Sequence, residues 1–453
     1  MNTLNRREFL TLAAGAAWAA SPVAALAAEK VRAKRPNLVI ILADDLSQSD
    51  VGCYGNVLLR TPHIDSLARD GLRFTRAFTA EAICSPSRST LYTGLYPMRH
   101  GCHMNHGQVK AGTRSLPHFL KPLGYRVALA GKKHIKPEAS FPFEQLPMRG
   151  VSRFVQSSKD TPFCLIVASH EPHSPHQTGG YDAARVPVPP TWVDTTETRD
   201  EIAAYYTDIN TLDREVGEVL ATLKQNGLEE DTLVIFASDH GEGFFAKWSV
   251  YDAGLRVPFI ARWPRVIAPN RTTDAMISFV DVLPTFLEAA GATPPELDGR
   301  SFLPVLRGQK TAHRDHLFAT YTNRGVIAGT TYPMRAIRTQ THKYIRNLNA
   351  QGSFQNLLTR GATWESWREK ARTDTFAAAR VRWLQHRPEE ELYDLRADPH
   401  EMANLAAHPA QRELVANLRG RVDAWMAQQN DRGLAAELEV PLHRHGRRDE
   451  ADG

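Results

Sequence analysis

The 453-residue sequence has little cysteine: four residues, at positions 53, 84, 102 and 164, none in a C-x-x-C arrangement. That excludes a disulfide-held scaffold, and each cysteine has to be accounted for singly. It also lacks a strong charge of either sign. The 55 Lys and Arg against 50 Asp and Glu leave a formal charge of +5 and a pI near 9.0. This bias suits an anionic substrate but does not indicate nucleic acid as a partner. After the first 28 residues no stretch approaches the ~20 uninterrupted apolar residues of a membrane helix, and there is no internal repeat. What remains is 42% hydrophobic and 23% charged, with 29 Gly and 28 Pro. That composition belongs to a loop-rich globular protein with a substantial core, so wholesale disorder and fibrous repeats are excluded. The length is about three ordinary ~150-residue domains, which suits one large α/β domain with a smaller companion.

The start, Asn5-Arg6-Arg7-Glu8-Phe9-Leu10, precedes an alanine-rich apolar run to Ala28, with Ala25-Leu26-Ala27 as a small-residue cleavage site. Residues 1–28 therefore read as a signal peptide. The paired arginines resemble a twin-arginine export signal, which makes that bacterial machinery an expected partner and the periplasm or the exterior the expected location.

From residue 35 short apolar runs alternate with amphipathic segments. Asn37 to Ala43 reads as a buried parallel strand, and Arg126 to Ala130, Phe163 to Ser169, Thr232 to Ser238 and Val257 to Arg262 are further buried-strand candidates. Asp200 to Asn226 shows helical periodicity and stops at Gly227. The expected architecture is a large, mixed, mainly parallel sheet between helices over residues 35–310. Its site lies beyond the carboxyl ends of the strands. Over 311–435, Arg335 to Arg346 and Glu391 to Leu395 read as half-exposed strands, with His408 to Gln429 as an amphipathic helix packed on them. That is a smaller α+β C-terminal domain. Residues 436–453 read as a polar, flexible tail.

Four clusters carry chemistry. Asp44-Asp45 ends the first strand, where adjacent carboxylates repel unless a cation neutralises them. Asp239-His240 ends another. Strand ends of one parallel sheet converge on one crevice, so Asp44, Asp45, Asp239 and His240 form a candidate divalent-metal site. Mostly oxygen ligands favour Ca²⁺ or Mg²⁺, with Zn²⁺ or Mn²⁺ left open by His240. Cys84-Ser85-Pro86-Ser87-Arg88 sets a cysteine just before a helix whose free N–H groups would stabilise an anion. Gly131-Lys132-Lys133-His134 and Ser169-His170 follow two further strands, and Lys247 follows the Asp239-His240 turn.

The C-x-P-S-R motif, with Thr93-Gly94 beyond it, resembles the signature of the type I sulfatases. The flanking motifs Asp44-Asp45 and Asp239-His240, with Lys132, His134, His170 and Lys247, match further positions of that family. The resemblance runs from about Arg35 to Gln429. The segments 131–144, 332–349, 354–358 and 391–406 are similar to the heparan N-sulfatase (sulfamidase) branch. It implies an alkaline-phosphatase-like fold and conversion of Cys84 to Cα-formylglycine by a maturation enzyme. It further implies one divalent metal, most simply Ca²⁺, held by Asp44, Asp45, Asp239, His240 and the residue at 84. The implied catalytic set is Cys84, Arg88, Lys132, His134, His170 and Lys247, in which the hydrated aldehyde attacks sulfur. Arg88 and Lys132 would hold it, Lys247 would neutralise the sulfate, His170 would protonate the leaving atom and His134 would take a proton to expel sulfate. The implied substrate is a sulfated glycan, in particular the N-sulfate of a terminal glucosamine in heparan fragments. A homodimer is compatible with it. A 6-O- or other carbohydrate O-sulfatase, and a phosphonate or phosphate ester hydrolase of the same superfamily, are the alternatives. The sequence departs from the mammalian sulfamidase in having His240 where that enzyme has Asn, and in a shorter segment between His176 and Asp200.

Overall fold

The sequence NLVIILA at Asn37–Ala43 alternates its side chains between two apolar layers, because successive strand residues face opposite sides of a sheet. Leu38, Ile40 and Leu42 enter one core and Val39, Ile41 and Ala43 the other, so this strand is covered by helices on both faces. The computed structural model describes residues 35–324 and 330–439. The signal peptide expected at 1–28 and the tail residues 440–453 lie outside the described residues.

The strands preceding the C-terminal region are β1 (Asn37–Ala43), β2 (Leu72–Phe74), β3 (Ala77–Phe78), β4 (Arg126–Gly131), β5 (Glu144–Leu146), β6 (Phe163–Ala168), β7 (Thr232–Ser238), β8 (Phe259–Arg262), β9 (Arg271–Thr273) and β10 (Ile277–Ser278). Eight of them form one sheet in the order β5-β4-β6-β1-β7-β8-β2-β9. Strands β5, β4, β6, β1 and β7 are mutually parallel, and β8 runs against both β7 and β2. The expected mixed, mainly parallel sheet between helices is therefore present. One face carries the Cys84–Thr93 helix and the Val282–Ala289 helix. The other carries the long Thr196–Gln225 helix. That helix begins four residues before the expected Asp200, because the Thr195 hydroxyl accepts from the Thr198 N–H and caps it.

Strands β11 (His316–Tyr321), β12 (Met334–Thr339), β13 (His342–Asn347) and β14 (Glu390–Asp394) form a four-stranded antiparallel sheet. The expected single strand Arg335 to Arg346 is thus a hairpin, and it is not half-exposed. Arg335 and Lys343 are fully buried. The reason is electrostatic: Arg335 pairs with Asp431 and Glu437, and Lys343 with Glu401 at 2.8 Å. The sheet's apolar faces pack on Phe78, Ile83 and Trp248 on one side. On the other they pack on Val415, Leu418 and Val422 of the Arg412–Gln428 helix.

The described residues from Pro36 to Glu439 form one compact unit, with the small sheet as a layer of it. The chain crosses the expected boundary at 310/311 in both directions. The Ala362–Lys370 and Thr375–Gln385 helices send Trp364, Trp367, Ala377 and Leu384 into the core that contains Val39 and Ile41. The Leu434–Glu439 helix occupies the start of the segment expected as tail, with Glu437 buried against Arg335.

Candidate active site

Four neighbouring parallel strands, β4, β6, β1 and β7, end at one level, since Gly131 registers with Ala168, Leu42 with Ala168 and Ala43 with Ser238. The next residues in each strand are Lys132, Ser169-His170, Asp44-Asp45 and Asp239-His240. Backbone bonds continue the ladder past the ends: Lys132 N–H donates to Ala168 O at 2.8 Å and Asp239 N–H to Ala43 O at 3.1 Å. The chain then turns sharply. Gly131 sits at φ +81°, where a Cβ would lie 2.1 Å from Ala168 O, so only glycine fits. Asp45 adopts φ 71°, and its N–H donates to Asp239 Oδ1 at 3.1 Å, which joins the two acidic turns. Gly243 leaves room for Asp45, whose Oδ2 would stand 2.6 Å from a Cβ there.

Cys84 is the first residue of the Cys84–Thr93 helix, with Ile83 in extended conformation at the N-cap position and no side-chain cap, one position further in than expected. Its Sγ lies 3.3 Å from Lys247 Nζ, 3.4 Å from His240 Nε2, 3.7 Å from Asp44 Oδ1 and 4.0 Å from Lys132 Nζ. One turn on, Arg88 is wholly buried. Its Nε is 3.0 Å from Asp239 Oδ2 and its Nη2 3.2 Å from Asp44 Oδ1, while Nη1 donates to Lys132 O at 3.2 Å. Lys132 Nζ bonds Asp44, and Lys247 Nζ lies 2.9 Å from Asp45 Oδ2. Three carboxylates thus face three basic side chains.

The charges set the protonation states. Burial would raise the carboxyl of Asp44, but Lys132 and Arg88 hold it well below the usual carboxylate range. Burial is likewise overcome at Asp45 by Lys247 and His240, bringing it to about 2. At Asp239 burial prevails and raises it to about 6. Asp239 and Asp45 overcome the burial of His240 and raise it to about 9. Burial opposes ionisation of the Cys84 thiol too, yet Lys132 and Lys247 bring it down to about 6. The other buried cysteines show the opposite: burial pushes Cys102 up to about 12, and Cys164 is raised by burial alone.

Asp44, Asp45 and Asp239 each offer an oxygen within 4.8 Å of the others, and Cys84-Asp239-His240 and Asp45-Cys84-His173 form overlapping sets. The donor set fits a divalent cation: it is buried, mostly hard oxygen, and its acids are ionised or readily so. A divalent ion would turn a locally neutral site positive, as an anionic substrate requires.

The remaining expected residues fall less centrally. His134 sits at φ 44° beside His106. His170 is solvent-exposed, and no hydrogen bond ties its ring to the Cys84 cluster among the described residues. His173, without a role in the sequence reading, reaches to 3.8 Å from Asp45 Oδ2, whereas His176 pairs with Asp208 of the long helix at 2.8 Å. Sequence reasoning also missed Glu242. Its buried carboxylate accepts from the Phe244 and Ala246 N–H groups and shapes the turn that delivers Lys247. The signal was an acid three residues after Asp239 in a glycine-flanked turn. A separate cavity of about 760 Å³, lined by Ser47, Trp192, Glu242, Phe245 and Trp367 among others, contains none of the groups around Cys84.

The family model "Sulfatase" matches residues 36–154 and 142–292. The chain belongs to the sulfatase family. A second model, "N-sulphoglucosamine sulphohydrolase, C-terminal", matches 240–360 of this sulfatase. The sulfatase is 37% identical to an ulvan-active sulfatase of Formosa agariphila, over 88% of this chain and 81% of that one. It is 31% identical to human N-sulphoglucosamine sulphohydrolase, over 89% and 92% of the two chains. In fold it resembles a protein solved with its substrate D-glucosamine-2-N,6-O-disulfate, at TM-score 0.72 and 19% identity over 88% of this chain and 99% of that one. Sulfatases generally use a formylglycine and a divalent metal, and this one is a hydrolase of that family.

Proposed function

We infer that this sulfatase removes sulfate from sulfated sugars, and that its substrate is the N-sulfate of a terminal glucosamine in heparin or heparan fragments. The observation that carries the reading is the match of residues 240–360 to the C-terminal model of N-sulphoglucosamine sulphohydrolase, joined to likeness over nearly the whole of the human enzyme.

Cys84 is the residue we assign to formylglycine, and Asp44, Asp45, Asp239 and His240 would hold the metal, with Ca²⁺ the simplest choice. Together these groups would supply a hydroxyl nucleophile of lowered pKa and a positive field for the sulfuryl oxygens. The chain's own residues do the rest. Arg88, held by Asp44 and Asp239, cannot lose its proton and keeps a fixed positive charge beneath position 84. Lys132 and Lys247 both face the residue at 84 and are both charged, because the neighbouring carboxylates overcome burial and raise their pKa values. They neutralise the sulfate as negative charge builds. His134, whose pKa burial and Lys132 lower to about 3, is neutral and able to accept a proton. His170, solvent-exposed at the end of β6, would protonate the departing nitrogen. Export by the twin-arginine route to the periplasm, after maturation in the cytoplasm, completes the proposal.

Removal of an O-sulfate from a sulfated polysaccharide is the second reading, favoured by the higher identity to the ulvan-active sulfatase. Glucosamine derivatives carrying only an N-, 6-O- or 3-O-sulfate separate the two. Free sulfate from the N-sulfated compound is expected, and release from the 6-O compound alone would overturn the sulfamidase reading. Cys84→Ser should bind the sugar yet turn over poorly, and mass spectrometry should find position 84 lighter than cysteine by the loss of sulfur and two hydrogens and the gain of one oxygen, which is an aldehyde and not a serine.

A further inference from the structure

The imidazoles of His106 and His134 meet at 3.0 Å, Nδ1 of the first against Nε2 of the second, with ring centroids 4.6 Å apart. Both residues hold a positive φ, 58° and 44°. A non-glycine residue there is strained and persists only where the surroundings impose it. For His106 the surroundings begin at the cysteine motif itself. The His106 N–H donates to Ser85 Oγ at 3.1 Å, and Ser85 Oγ donates to Asn105 Oδ1 at 3.3 Å. The residue following Cys84 thus fixes the corner that presents His106 to His134.

The far side of the His134 ring is different. Its Nδ1 is buried and has no hydrogen-bond partner among the described residues. Lys132 and Arg88 lie close enough to disfavour a second proton on the ring. An imidazole with one nitrogen engaged and the other buried and unengaged has a single nitrogen available for proton transfer, and the engaged side selects the tautomer.

We propose that His106 is a positioning residue that makes Nδ1 of His134 the proton-accepting atom. His106 Nδ1 accepts the proton carried on His134 Nε2, which holds the ring in the tautomer whose Nδ1 bears the lone pair. In proton transfer an N–H bond forms at Nδ1 of His134, the O–H bond of the reacting hydroxyl breaks, and the electron pair stays on oxygen. The Nε2 proton is held throughout and is not passed on. The resulting imidazolium keeps its hydrogen bond to His106, so the ring need not turn during the cycle. This rests on the assignment of His134 as a base of the sulfatase reaction, while the tautomer itself is independent of that assignment.

The test uses the matured full-length enzyme and two readouts. Nitrogen chemical shifts of isotopically labelled histidine, assigned with His134→Gln, should show His134 protonated at Nε2 in the wild type and a tautomer mixture in His106→Ala. Kinetics on the best sulfated substrate should show kcat lowered about 10–100-fold in His106→Ala with little change in KM, the size expected for a group that orients another. His106→Asn supplies an acceptor oxygen and should recover most of the loss. His106→Gly suits the positive φ but supplies none, and should stay as low as His106→Ala. Protonation of wild-type His134 at Nδ1, unchanged kcat in His106→Ala, a pure KM effect, or full recovery in His106→Gly would each overturn the proposal. If the wild type releases sulfate from no substrate, the assigned reaction fails, and the tautomer measurement still decides the role of His106.

Discussion

Arg88 binds two carboxylates that follow the ends of two different strands, Asp44 and Asp239, with no exposure to solvent. Replacing it with Ala strips Asp239 of its guanidinium partner and leaves Asp44 with Lys132 alone, a loss of about 3–5 kcal/mol that denaturant unfolding should register. Arg88→Lys keeps the charge but not the fork of donors, so it should retain more stability than Arg88→Ala while losing turnover. Equal stability of wild type and Arg88→Ala would mean that the pair is not formed in solution. Cys84 carries the second prediction, for protein that has been neither matured nor loaded with metal. Its thiol falls from 9.0 to about 6 on folding, because Lys132 and Lys247 outweigh burial. A group with a depressed folded pKa contributes stability in full above its unfolded value, and that contribution is lost as pH falls through the folded one. The stability difference between this protein and Cys84→Ser should therefore shrink between pH 9.0 and about 6. A difference independent of pH would show that the thiolate is not held by the two lysines. The motif made Cys84 and Arg88 legible in the sequence, since both lie within one helical turn. His106 and His173 were not legible, because their partners at 134 and 45 are brought close only by folding.

At the scale of elements, the strand ends were readable because continuously apolar runs followed by polar residues mark buried parallel strands. The C-terminal hairpin was misjudged for a definite reason. Its alternating Arg and Lys look like a solvated face, yet Arg338 lies 3.2 Å from Asp252, and Lys343 also pairs with that residue. Such ion pairs depend on a distant turn and leave no local pattern. The Ala362–Lys370 helix gives a further prediction. Trp367 is fully buried, donates from Nε1 to Thr198 Oγ1 at 2.8 Å and stacks on Phe245 at 4.1 Å, two residues before Lys247. Trp367→Ala should cost about 3–5 kcal/mol. It should also lower turnover, because the turn that carries Lys247 loses its brace, and Trp367→Phe should restore much of both. Lost stability with unaltered turnover would show that the brace does not reach the site.

Across the whole molecule, charge is distributed so that the small overall value of +5 conceals a site of mixed sign. A divalent cation bound by Asp44, Asp45 and Asp239 should stabilise the folded state by about 2.7 kcal/mol at a hundredfold excess over its Kd. Thermal unfolding with added Ca²⁺ or Mg²⁺ should show a rise in Tm that chelator reverses and Asp45→Asn abolishes, and no rise with either ion would count against the site. Among the described residues no helix is long and apolar enough to cross a membrane. The sequence by itself determined the α/β class, where along the chain the buried strands lie, the cysteine motif and the acids at two strand ends, because these follow from local polarity and from spacing within one helical turn. The tertiary structure alone decided which basic group pairs with which acid, that Cys84 is the cysteine with a depressed pKa, and that the small sheet shares one compact unit with the large one. Each of these depends on distances between segments far apart in the chain, set by the strand order β4-β6-β1-β7.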